Sequence, residues 1–252
     1  MDILQKPRFL PFAALALGIT AACLRTGLYA LALDVKGLLI SGHPLSYALW
    51  AVVMTGAAFL LWNVRKLDGS NSYEDNFAAS RPAAFGCTFL AVALLLTVLN
   101  RAPSGSDTMM LLWRVLGFLS APAMMWAGIC RRNGQKPFFG THAIVCLFLL
   151  IHMVSRYQIW SSNPQLQDYV FEVFASIALT LFSYHCAAFE ADMGSRRMQL
   201  ATGLLAVLLC PAALYGSEYR FLYLCGTVWA FTALCSLTPP PEEKEAENHD
   251  PS

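Results

Sequence analysis

The stretch HMVSRYQIWSSNPQLQDYVFEVF brings His152, Arg156, Asp168 and Glu172 close together between two apolar runs. His152 and Arg156 are four residues apart, so on a helix they share a face. An imidazole and a carboxylate within reach of each other can move a proton. An arginine beside them can hold an anion or neutralise the carboxylate. The same residues also fit a plain ion pair at a helix end, flanked by Tyr157, Trp160 and Tyr169 as an interfacial aromatic belt. The elements around the stretch must decide between these readings.

Those elements are membrane helices. Of 252 residues, 57% are hydrophobic and only 13% charged, against about 25% charged in a soluble domain. Runs such as FLPFAALALGITAACL and AAFGCTFLAVALLLTVL carry no charge. A helix of roughly 20 apolar residues spans the hydrocarbon core, and it satisfies its own backbone there. The fold class expected is all-α, a polytopic membrane bundle of about eight spans at 10–33, 45–62, 83–99, 108–130, 138–155, 169–190, 200–216 and 220–238. Residues 1–238 form the membrane domain, and 239–252 an acidic, proline-led tail expected to be disordered. The polar segment 63–82 is too short for a domain and reads as a solvated linker. The first span reads as uncleaved, although Lys6 and Arg8 precede it and TAAC lies near its end.

Lys and Arg set the orientation. With a cytoplasmic N-terminus, the inner segments hold 11 of them: Lys6, Arg8, Arg65, Lys66, Arg81, Arg131, Arg132, Lys136, Arg196, Arg197 and Lys244. The outer segments hold four: Lys36, Arg101, Arg156 and Arg220. Both termini are therefore expected in the cytoplasm.

On that topology the unusual polar groups gather in the outer half. Arg25 and Arg114 lie about seven residues inside their spans, roughly 10 Å deep at 1.5 Å per residue. Asp34, Lys36 and His43 lie in the first outer connection, Glu218 and Arg220 in the last. A buried arginine needs a carboxylate, a water-filled recess or a snorkelling path. The recess reading makes Arg25, Arg114, His152, Arg156 and Glu172 a ligand-binding set of positive character, suited to an anionic guest. Snorkelling and structural ion pairs explain the same residues. Glu172, Ser176, Thr180 and Ser183 recur at helical spacing and mark an inward stripe, either as helix-to-helix glue or as a polar path.

Other chemistry finds little support. His142 and His185 fall at similar depth, as a haem or metal pair would, but no carboxylate–histidine motif accompanies them, so no cofactor and no metal is expected. The eight cysteines form no C-x-x-C and read as small apolar packing residues. No G-x-S-x-G, H-E-x-x-H or phosphate-cradling loop is present. A net charge of +1 without a basic face excludes nucleic acid as a partner. Pro122 and Pro211 should kink their helices.

Three segments, LRTGLYALALDVKGLLISGHPL, WSSNPQLQDYVFE and YHCAAFEADMGSRR, resemble a group of uncharacterised multi-pass membrane proteins of clostridial bacteria. The resemblance runs over most of the chain. It implies a bacterial cytoplasmic membrane location and the same helix layout, and brings no activity or site residue with it.

Three function classes follow. The first is a transporter, permease subunit or receptor-like component that binds a small molecule or lipid headgroup in an outer recess. The second is a non-catalytic subunit docking a protein partner on the cytoplasmic side. The third is an enzyme acting on membrane lipid, with His152 and Glu172 as acid and base.

Overall fold

A computed structural model describes residues 9–32, 42–65, 71–100, 107–160 and 166–238; the side chains of 159, 160 and 166–168 fall outside that description. The described residues form nine helices and no strand. The helices are α1 (Phe9–Leu31), α2 (Pro44–Val64), α3 (Tyr73–Asn76), α4 (Arg81–Asn100), α5 (Asp107–Asn133), α6 (Thr141–Trp160), α7 (Leu166–Glu190), α8 (Arg196–Ala213) and α9 (Arg220–Cys235). Each of the eight apolar segments read from the sequence coincides with a helix. Five are long and apolar enough to cross a membrane: α1, α2, α4, α5 and α7 from Tyr169. Of the rest, α9 is apolar but has 16 residues, and α8 has 18 and opens on two arginines.

Helix ends follow local chemistry. Pro44 sits at the start of α2, where a missing N–H is harmless, and His43 Nδ1 accepts from the Leu45 N–H at 3.3 Å. Arg131 and Arg132 lie in the last turn of α5, the end that favours cations.

The helix at the centre is α8. It packs on α1, α2, α7 and α9, and 14 of its 18 residues are buried, which no surface stripe could give. Pro211 has no N–H for the carbonyl of Val207 four residues earlier. At that point α1 lies against α8 so closely that a Cβ on Gly18 would stand 2.7 Å from Val207 O. In contrast, α5 buries one stripe (Trp113, Gly117, Ser120, Met124, Ala127 among others) and leaves Leu111, Val115, Phe118 and Leu119 exposed, as a lipid-facing helix does.

Successive long helices run in opposite directions, so the bundle has two ends. One end holds Glu172, near the start of α7, and the other holds Glu190, at its finish. Of the segment read as a solvated linker, the described part around Tyr73 and Phe77 is built into the second end. Tyr73 and Phe77 pack on Phe189 and Leu237, and Phe77 pairs with Leu237 in an isolated antiparallel bridge. Their aromatic rings bury more area among one another than a solvated loop would allow.

Candidate functional site

At the Glu172 end, α6 and α7 face each other as their spacing predicts. Arg156 Nε stands 3.6 Å from Glu172 Oε1, and its Nη1 donates to Glu218 Oε2 at 3.2 Å. Its guanidinium also lies 5.0 Å from the Tyr219 ring centroid. Glu172 and Arg156 are buried, whereas the Glu218 side chain is 57% exposed. A cation between two carboxylates keeps the buried charges compensated, the condition for ions out of water.

Hydroxyls complete the network. Ser176 Oγ donates to the Glu172 carbonyl at 2.8 Å, so the Tyr223 hydroxyl 2.8 Å away donates to Ser176. Tyr223 also lies 3.5 Å from Glu172 Oε1. Further along the stripe, Thr180 donates to Ser176 O at 2.7 Å, and Ser183 crosses to His142 O at 2.9 Å. The stripe on α7 is buried throughout; Ser176 and Ser183 tie it to α9 and α6, while Thr180 bonds back within α7.

Arg25 joins this end in a different role. Its Nη1 donates to Ala212 O at 2.8 Å, a carbonyl of the last turn of α8 that has no helical partner. Its guanidinium lies 5.1 Å from the Phe171 centroid. It thus caps α8, where a cation is favoured, and its charge acts on Glu172 as well.

His152 is buried on the Arg156 face of α6. The indole N–H of Trp113 donates to its Nδ1 at 3.4 Å, and Tyr219 packs edge-on 4.5 Å from the ring. Its Nε2 has no hydrogen-bond partner among the described residues. No hydrogen bond joins His152 to Glu172 among them, and the acid–base pair expected of a lipid enzyme is not assembled.

Arg114 corrects the sequence reading. It lies on the exposed face of α5, among Leu111, Val115 and Phe118, and not beneath Arg156 and Glu172. Arg114 is one position beyond Trp113 on the buried stripe, enough to rotate it toward lipid. The positive lining expected from Arg25 and Arg114 is therefore absent. One arginine is spent on a helix cap, and the other faces outward. Asp34, Lys36, Arg101 and the Asp168 side chain lie outside the described residues.

A recess does open at this end. Thr97 and Asn100 of α4 and Glu218, Tyr219 and Phe221 at the α8–α9 turn line a space of about 250 Å³ together with Leu96 and Leu222. Among the described residues that line it, the one charged side chain is the Glu218 carboxylate, a charge opposite to the positive lining expected.

At the other end, the His142 Nδ1–H donates to Glu190 Oε1 at 2.7 Å and its backbone N–H to Oε2 at 3.2 Å. Trp229 stacks on the imidazole with centroids 5.9 Å apart. His142 is thus engaged by a carboxylate, while His185 lies against Tyr184. Among the described residues no group of three His, Cys, Asp or Glu is placed to hold a metal. Sequence reasoning counted Arg131 and Arg196 only as loop charges, but both are buried here. Arg131 Nη2 donates to Ser236 Oγ at 2.6 Å, with its guanidinium 4.4 Å from the Phe77 centroid. Arg196 holds Asn76 Oδ1 at 3.0 Å and the carbonyl of Thr238. The missed signal is the aromatic pair Tyr73 and Phe77 inside an otherwise polar loop.

Compared with known proteins, the chain matches no family model, no curated protein and no solved structure.

Proposed function

We propose that this is a multi-pass protein of the bacterial cytoplasmic membrane that binds a small amphipathic molecule in the recess at the Glu172 end. The reading has eight spans, α1, α2 and α4 to α9, with both termini and the Glu190 end in the cytoplasm. The topology rests on charge: among the described residues Arg65, Arg81, Arg131, Arg132, Lys136, Arg196 and Arg197 belong to the Glu190 end, against Arg156 and Arg220 at the other.

The observation that carries the binding reading is Glu218. Its carboxylate faces the recess while holding Arg156, which in turn holds Glu172 inside the bundle. A guest that engages Glu218 competes with Arg156 and so acts on the buried network. The lining selects a guest with an amine or hydroxyl head for Glu218, Thr97 and Asn100, and an apolar body for Leu96, Phe221 and Leu222. A receptor-like or transport component uses such coupling; a plain docking subunit does not.

Mass spectrometry of protein purified in mild detergent tests this reading. An amine- or hydroxyl-headed amphiphile should be retained by the native protein and lost from Glu218→Gln, with insertion unchanged. An empty protein, or a guest indifferent to that substitution, would sink the reading. Reporter fusions check the topology. One after Asn71 should be cytoplasmic and one after Asn163 external, and the reverse result would invert the assignment.

A further inference from the structure

The Glu190 end contains a small cavity of about 20 Å³, room for one water-sized guest. Tyr73, Phe77, Arg131, His142, Gln199 and Trp229 are among the residues around it. Three of these have a buried polar atom without a well-formed hydrogen bond: the Tyr73 hydroxyl, which stands beside the Arg131 guanidinium, Arg131 Nη1 and Gln199 Oε1. All three residues are at least 94% buried. Unsatisfied buried polar atoms are costly and rare, so two donors and an amide oxygen around one cavity point to something held there.

Charge identifies the guest's class. Among the described residues no carboxylate lies within 4 Å of Arg131 or Arg196. Glu190 is the buried carboxylate of this end, and the imidazole and backbone N–H of His142 already engage it. Among the described residues this end buries two arginines, Arg131 and Arg196, against one carboxylate, Glu190, a positive excess.

The hydrogen-bonding groups agree. The Arg131 guanidinium only donates. Burial pushes the Tyr73 phenol up to about 12, so it keeps its proton at neutral pH. The Gln199 amide has two orientations about its last bond. With Nε2 toward Cys186 Sγ, 3.5 Å away, Oε1 stays unpartnered. With the amide turned, the Cys186 S–H donates to Oε1, and Nε2–H becomes a third donor for the cavity.

We propose that this cavity binds one small monoatomic anion of the chloride class, held by Arg131, Tyr73 and Gln199. Room for one water-sized guest favours a single small ion over a larger oxyanion. Beside the site, Phe77 bridges to Leu237, and the Thr238 N–H donates to Asn76 O at 3.1 Å.

The test is thermal unfolding of the full chain in detergent, with sodium chloride replaced stepwise by sodium gluconate at constant ionic strength. Chloride should raise the midpoint saturably, because a ligand bound only by the folded state stabilises it. Arg131→Gln should abolish the response. If that variant does not fold, Tyr73→Phe keeps the ring and removes one donor. It should then require about tenfold more chloride, the equivalent of one charge-assisted hydrogen bond. Lys136→Gln, at an exposed cation of the same end, should leave the response intact. Crystals grown in bromide should show an anomalous peak between Arg131 and Tyr73. Equal midpoints in chloride and gluconate, or a cavity holding water only, would overturn the proposal.

Discussion

The two ends of the bundle bury similar residues in opposite balance. At the Glu172 end, Arg156 lies between Glu172 and Glu218, and Arg25 finds the open carbonyls of α8. At the Glu190 end, Arg131 leans on an aromatic ring and a serine hydroxyl, with one nitrogen left over. The first arrangement holds helices together. The second keeps an unmet demand, the physical signature of a site that waits for a partner.

Removing one charge from each end exposes this contrast most strongly. Glu172→Ala strands a buried guanidinium with only the exposed Glu218, and should destabilise the protein by about 3–5 kcal/mol. Arg131→Met in chloride-free buffer removes a cation that had no carboxylate and fills the space with apolar atoms. It should cost less than about 1 kcal/mol, because such replacements are often neutral. Unfolding in detergent measures both. Equal losses at the two ends would erase the distinction.

Arg25→Met comes next. It leaves the last carbonyls of α8 without a donor and should cost about 1–2 kcal/mol, the range for a partly buried cation at a helix C-terminus. The loss should appear as weaker amide protection in the last turn of α8 by hydrogen exchange. A uniform loss over the whole bundle would argue against a capping role.

These effects also show what was legible in the sequence. The facing of Arg156 and Glu172 followed from the depth of α6 and α7, and the inward stripe from the spacing of Glu172, Ser176, Thr180 and Ser183. Arg114 was misplaced because depth does not give helical phase. The small residues Gly117, Ser120, Ala121, Ala127 and Gly128 trace the packed face of α5, and Arg114 stands off it. The Glu190 cavity was invisible for another reason. Its lining comes from every helix from α3 to α9, and only tertiary packing brings them together.

Smaller effects sharpen the comparison within the Glu172 end. His152→Leu deletes a ring nitrogen that has no partner, and Trp113 loses only a 3.4 Å acceptor. Stability should change by less than about 1 kcal/mol, the two terms offsetting. Arg114→Leu, on the lipid side, should stay within about 0.5 kcal/mol and leave guest retention unaltered. Loss of the guest in Arg114→Leu would return that arginine to the recess.

The smallest effect belongs to the exposed counterpart of the buried pair. Lys136 bonds Asp192 across the Glu190 end, with side chains 31% and 57% exposed, against 7% and 2% for Arg156 and Glu172. The Lys136 hydrogen bond holds the Asp192 carboxyl below its usual range. A depressed carboxyl contributes stability above its unfolded value, and that contribution disappears as pH falls through the folded one. Water and salt screen so open a pair. Asp192 has φ of 54°, a left-handed conformation that Asn also tolerates, so Asp192→Asn removes the charge without new strain. Its midpoint at pH 7 should differ from the native one only at low ionic strength, and the difference should vanish in high salt and below the folded carboxyl's titration. The Arg156–Glu172 pair, closed off from solvent, should keep its contribution in the same salt. If salt weakened both pairs alike, the Glu172 end would be open to water, and its network would belong to the recess instead of the packed bundle.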